Sequence, residues 1–230
     1  MTNYLLVSFK TCPWVQRAAI VLREKQIAFE FRHIDPDNRP DWFLAISPHR
    51  KVPVLRIDDR VSLFESNAIA EYLDETIAPR LHPEDAVARA VNRAWTDYVP
   101  TFAAAVTATS YADSAAEYDK AASGIPQVFE RLERALEKQG SGPFFNGARY
   151  SLVDAAYAPF LQRYVFLDRV RRLGHLEQYP RLAAWTAALL ARPSTHSFPP
   201  DAFEAMYRDA LKRRGKWLAQ FVDTAQAAAE

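Results

Sequence analysis

The stretch SFKTCPWVQRAAIVL, residues 8–22, holds the only cysteine of the chain, and its reading decides the fold. Val15, Ala18, Ala19 and Leu22 recur at the spacing of one helix face, with Arg17, Arg23 and Glu24 off that face. Pro13 suits the first helical position, where the missing N–H would have had no partner. Cys12 then falls at the N-cap, facing the unpaired N–H groups and partial positive charge of a helix start. A thiol so placed is expected to have its thiolate favoured and its pKa depressed, with Lys10 pushing the same way. The plain alternative is a free cysteine buried as a small apolar residue. Val15 stands where a Cys-x-x-Cys pair would need its second thiol, so a disulfide partner for Cys12 must come from another molecule.

Working outward, Tyr4 to Ser8 is an apolar run of strand length. FEFRHI (29–34) alternates Phe29, Phe31 and His33 against Glu30 and Arg32, the pattern of a second strand. PDWFLAI (40–46) is a short helical turn opened by Pro40. VPVLRI (52–57) and RVSLF (60–64) read as strands joined at Asp58 and Asp59 in a hairpin. A third helix starts near Ser66, with Ile69, Ala70, Leu73 and Ile77 on one side. The order is βαβαββα, an α/β domain over residues 1–78.

Pro79 and Pro83 mark a linker, and residues 84–230 read as an all-helical domain. Its apolar stripes are Val87, Val91, Trp95, Tyr98 and Phe102; Val128, Leu132 and Leu136; Val153, Tyr157, Phe160 and Tyr164; and Leu182, Trp185 and Leu189. Pro159 is expected to kink the third of these. DAFEAMYRDALKRRGKWLAQFVDTA (201–225) supplies one or two more helices. ADSAAEYDKAASG (112–124) reads as two helix ends and their connection.

Composition sets limits on function. With 29 basic against 28 acidic side chains, the net charge of +1 gives no pull toward nucleic acid or membrane. KRRGK (212–216) reads as a solvated helix end. No run approaches the roughly 20 apolar residues of a membrane span. One cysteine forms no internal disulfide, so a soluble cytoplasmic protein is expected. The histidines at 33, 49, 82, 175 and 196 have no metal-ligand spacing, and six glycines in 230 residues supply no phosphate loop.

Five motifs, CPWVQR (12–17), NRPDWF (38–43), KVPVL (51–55), FESNAIAEYL (64–73) and SLVDAAYAPF (151–160), give the chain a family likeness along nearly its whole length. It resembles the glutathione transferase superfamily, in particular its cysteine-containing omega-like branch. The resemblance implies a thioredoxin-like first domain that binds glutathione, an all-α second domain, and a homodimer through the third and fourth helices. It implies a cis Val52–Pro53 bond that turns the Val52 backbone toward glutathione, which would pair there as an added strand. Ser66 on its own chemistry is a helix N-cap. The same helix mouth can take a carboxylate while Glu65 receives an ammonium, the two groups of a γ-glutamyl end. Arg39 and Lys51 are candidates for the glycyl carboxylate, against ordinary solvated loop charges. Trp14 either packs over the tripeptide or belongs to the core. Ser151 with Asp154 three residues on is a capping box with a structural role. Trp95, Tyr98, Phe102, Phe160, Arg163 and Tyr164 are candidates for an electrophile pocket where the domains meet, with ordinary core packing as the competing reading.

Three functions compete. In the first, Cys12 forms a mixed disulfide with glutathione, as in thiol transfer, dehydroascorbate reduction or removal of glutathione from an adduct. In the second, a hydroxyl near the end of the first strand (Ser8, Thr11 or Tyr4) activates glutathione's own thiol to conjugate a small hydrophobic electrophile. In the third, the fold only binds ligands or a partner protein. Glutathione is the expected co-substrate, and no metal is expected.

Overall fold

The computed structural model describes residues 2–223. The first part contains β1 (Tyr4–Ser8), α1 (Pro13–Glu24), β2 (Glu30–His33), α2 (Asp41–Ile46), β3 (Val54–Ile57), β4 (Val61–Phe64) and α3 (Ser66–Thr76). The sheet order is β2-β1-β3-β4, with β1 parallel to β2 and antiparallel to β3. Central β1 is buried from Leu5 to Ser8, which is why it reads as a continuous apolar run and not as an alternation. The β3–β4 hairpin turns at Asp58 and Asp59, both at positive φ (49° and 57°), a conformation aspartate tolerates better than most residues. Val52–Pro53 is cis, as is Ala78–Pro79.

Beyond the connection at residues 77–85 come α4 (Ala86–Ser110), α5 (Ala115–Ala122), α6 (Ile125–Lys138), α7 (Leu152–Val170), α8 (Pro180–Leu190) and α9 (Pro200–Arg213). A short 3₁₀ turn over Trp217–Phe221 follows. Residues 224 and 225 of the expected C-terminal helical stretch lie outside the described residues. Helix α7 is buried from Leu152 through Tyr164, because it packs against α1 of the first part as well as α4 and α8. Pro159 lies inside it. The expected capping box is formed: Asp154 Oδ2 accepts from Ser151 N at 2.7 Å and from Ser151 Oγ at 2.6 Å.

Several sequence expectations need correction. Residues 112–124 are not merely two helix ends. They carry all of α5, whose N-cap Ser114 accepts from Glu117 N. Val87 and Val91 are exposed (72% and 41%), so the inward stripe on α4 begins only below them. Arg17 is 2% exposed, since α1 is covered on both sides and its polar face is internal.

Candidate functional site

Cys12 is the N-cap of α1 with extended backbone (φ −74°, ψ 118°), and its carbonyl accepts from Gln16 N at 3.1 Å. Its thiol departs from the expectation. Burial raises the pKa above 9.0, and the backbone N–H groups of Val15 and Trp14, with the Arg163 guanidinium, only offset part of that rise. A helix start favours the thiolate, but this one is packed under the second domain, and the desolvation of the anion outweighs it. Lys10 is exposed; the cation acting on the thiol is Arg163, from α7.

Beside this corner a cleft of about 340 Å³ opens between the two parts of the chain. Six of the expected glutathione-binding residues line it: Trp14, Lys51, Val52, Pro53, Glu65 and Ser66. Among the described residues neither backbone polar group of Val52 has a hydrogen-bond partner, so a short strand edge is open there. Glu65, not Ser66, is the N-cap of α3; it stands at φ 65° with its side chain exposed, and Ser66 is the first helical residue. The first N–H groups of α3 therefore face the cleft beside a carboxylate. That arrangement suits a ligand end carrying both an anion and an ammonium.

The cleft also holds residues that the sequence did not flag. Buried Arg17 donates through Nη2 to Asn67 Oδ1, and Asn67 Nδ2 donates to Asp97 Oδ1 at 3.1 Å. This chain of bonds runs from α1 through α3 to α4 and ties the two walls together. Burial brings the Arg17 pKa down to about 10, with Glu71, Tyr157 and Asp97 opposing the fall. Arg17 lies within CPWVQR and could have been suspected there; nothing local to Asp97 marks it.

Other expected residues lie elsewhere. Arg39 does not line the cleft: its guanidinium donates to the carbonyls of Pro36 and Arg50 and stands over the Phe9 ring at 5.5 Å. None of the six aromatic-pocket candidates lines it either. Phe102 stacks on Phe129, Tyr164 meets Phe129 edge-on, and Tyr98 accepts from Arg131; the first two are fully buried. Trp95 packs on Phe145, and Phe160 is 1% exposed, reaching the site only through an edge contact with Trp14 at 4.9 Å. The α4 residues at the cleft are Thr96, Asp97 and Pro100, one step around the helix from the aromatic stripe. Arg163 is 4% exposed and held inside by three hydrogen bonds. The hydroxyl candidates also separate. Tyr4 lies at the start of β1, not at its end, and Ser8 is 1% exposed and donates to the Phe9 carbonyl.

Comparison with known proteins agrees with this architecture. Residues 6–80 match the glutathione S-transferase N-terminal domain and residues 115–188 the C-terminal domain. The chain is 36% identical over 190 residues to glutathione S-transferase L1 of Arabidopsis thaliana, covering 80% of this chain and 76% of that protein. It is 29% identical to glutathione S-transferase omega-1 of Rattus norvegicus, covering 89% and 83%. Rice GST1, solved in complex with glutathione, superposes with a TM-score of 0.80 at 29% identity, over 92% of this chain and 97% of that one. A βαβαββα domain with an open strand edge, joined across a cleft to an all-helical domain, defines a glutathione-transferase fold. The chain belongs to the glutathione S-transferase family.

Proposed function

We propose that the protein is a glutathione-dependent thiol transferase of the omega-like type, in which Cys12 is the nucleophile. The Cys12 thiolate attacks the glutathionyl sulfur of a mixed disulfide, forming Cys12–S–SG and releasing the substrate thiolate. A glutathione thiolate then attacks that sulfur, giving oxidised glutathione and regenerating the Cys12 thiolate, so electrons and protons balance. One observation carries the reading: the only thiol stands at the start of α1, two residues before Trp14 in the wall of the cleft. The tripeptide would pair with the Val52 edge, place its γ-glutamyl end against Glu65 and Ser66, and turn its glycyl carboxylate toward Lys51. Arg39, held by two carbonyls, is the weaker candidate for that last role.

The second substrate, a glutathionylated thiol or a small hydrophobic electrophile, would enter from the helical side. The exposed pair Val87 and Val91, one turn apart at the start of α4, supports a homodimer through the third and fourth helices. A single unpaired cysteine suits a reducing compartment, the cytoplasm.

The test is the intact mass after incubation with oxidised glutathione at pH 7.5, with and without a reducing wash. A reversible gain of one glutathionyl group is expected, lost entirely in Cys12→Ser together with turnover on a glutathionylated test thiol. Unchanged turnover in Cys12→Ser would sink the proposal.

A further inference from the structure

Arg163 is a cation in an unusual place. It sits in the middle of α7 at 4% exposure, and its guanidinium makes three hydrogen bonds, all to neutral oxygens. Nη1 donates to Gln16 Oε1 at 2.9 Å and to the Pro159 carbonyl at 2.5 Å, and Nη2 donates to the Thr11 carbonyl at 2.7 Å. Its Cζ stands over the rings of Phe203 and Tyr207 of α9, 5.1 and 5.8 Å from their centroids. Among the described residues no carboxylate pairs with it. A buried guanidinium without a counter-charge is costly, and proteins rarely keep one unless an anion is supplied at some stage.

The ionisable groups acting on Arg163 are Tyr207, Cys12 and Tyr111. A phenol is ordinarily neutral below a pH of about 10, and burial pushes Tyr207 higher still. Of the three, Cys12 has the lowest ordinary pKa and is therefore the group best able to become the missing anion, although burial holds its thiol up. The covalent geometry points the same way, because the Thr11 carbonyl belongs to the peptide bond that leads into Cys12. Gln16, whose oxygen holds Nη1, donates from its other end to Gln162 Oε1 and the Thr195 carbonyl, each at 2.7 Å. The helical domain thus grips the first turn of α1 on both sides of the thiol.

We propose that Arg163 is a positioning residue for Cys12: from across the domain boundary it fixes the peptide entering the thiol and supplies the positive charge against which the thiolate forms. This rests on the reading of Cys12 as the nucleophile, but its test needs no glutathione. The rate of Cys12 alkylation by iodoacetamide is measured against pH, with intact mass as the readout and the single cysteine fixing the site. In the neutral variants Arg163→Met and Arg163→Gln the midpoint of the profile rises by about one to three pH units, at least a tenfold loss of thiolate at pH 7. Arg163→Lys, which keeps the charge but not the fork, recovers at least half of that rise. A folded neutral variant with the wild-type midpoint overturns the proposal, as does an Arg163→Lys midpoint equal to that of the neutral variants. If neither neutral variant folds, Gln16→Glu carries the test, since it leaves Arg163 in place and sets a carboxylate on Nη1. A comparable rise there supports the proposal, and an unmoved midpoint overturns it. An Arg163-dependent profile in a protein that forms no glutathione adduct would keep this inference while removing the thiol-transferase reading.

Discussion

Replacing Asp154 by Ala is expected to remove roughly a third or more of the stability of the fold. The carboxylate is fully buried and accepts four hydrogen bonds. Oδ1 takes Phe145 N at 2.8 Å and Trp185 Nε1 at 2.6 Å, and Oδ2 takes the Ser151 N–H and hydroxyl. The Ser151 hydroxyl can rotate to another acceptor, but the three N–H donors cannot. Each buried donor left without a partner costs about 1–3 kcal/mol. Against that loss stands the relief of a desolvated carboxylate, whose pKa burial pushes up despite its four donors. The balance is a destabilisation of about 4 kcal/mol, from a total that for a domain is about 5–15 kcal/mol. Asp154→Asn keeps one acceptor oxygen and turns an amide N–H toward the other donors, so about half the effect is expected. Urea unfolding followed by tryptophan fluorescence reads both, Trp185 being one of the reporters. For 230 residues the Ala variant should melt about 8–16 °C lower. If both variants lose less than about 1 kcal/mol with unchanged denaturant slope, the four-bond account of this corner is wrong.

Two further outcomes follow from other parts of the molecule. Burial raises the Glu71 pKa, but hydrogen bonds and charges from His82 and Arg93 outweigh it and bring the value to about 2. The folded value lies below the unfolded one, so Glu71 contributes stability above a pH of about 4.5 and loses it as pH falls toward about 2. Because Arg93 is partly exposed, the contribution is discounted to about 1–2 kcal/mol, and Glu71→Gln should flatten the acid limb of a stability–pH curve. An unaltered acid limb would remove Glu71 from that account. At the start of α4, Val87→Asp with Val91→Asp should abolish the dimer proposed through the third and fourth helices, read by sedimentation; a variant that still sediments as a dimer places the interface elsewhere, and a monomeric parent chain removes the dimer.

The parts legible in the sequence are those governed by local rules. Pro13 marked the start of α1, the paired aspartates marked the hairpin, and Ser151 with Asp154 marked the start of α7; in each, neighbours on the chain make the contacts. Of the cleft residues, the Val52–Pro53 edge came from the family resemblance, whereas Glu65 and Ser66 sit at a helix mouth whose chemistry local rules also suggest. What escaped is set by packing between distant segments. Arg17 looked solvated because a helix face shows its polar residues without showing what covers them. The direction of the Cys12 pKa was missed for the same reason: the helix start is visible in sequence, the domain lying over it is not. Phe102 and Tyr164 show the converse: aromatic residues at helical spacing, expected where the domains meet, that are turned into the interior.

The two-sided burial of α1 has a consequence for how this architecture can be taken apart. Residues Val15 to Leu22 are all buried, including Gln16 and Arg17, whose partners lie on α7, on α3 and in the segment after α8. Glu24 at the helix end is likewise held by Arg192 and Ser194. A polypeptide ending at the linker would leave Gln16 and Glu24 without those partners, beside an apolar surface shaped for α7. Residues 6–80 thus match a family domain of their own, yet are expected to depend on the helical part for their fold. Fusions, truncations or domain exchanges cut at the linker would sever the molecule where its sequence is plainest and its internal bonding is dense.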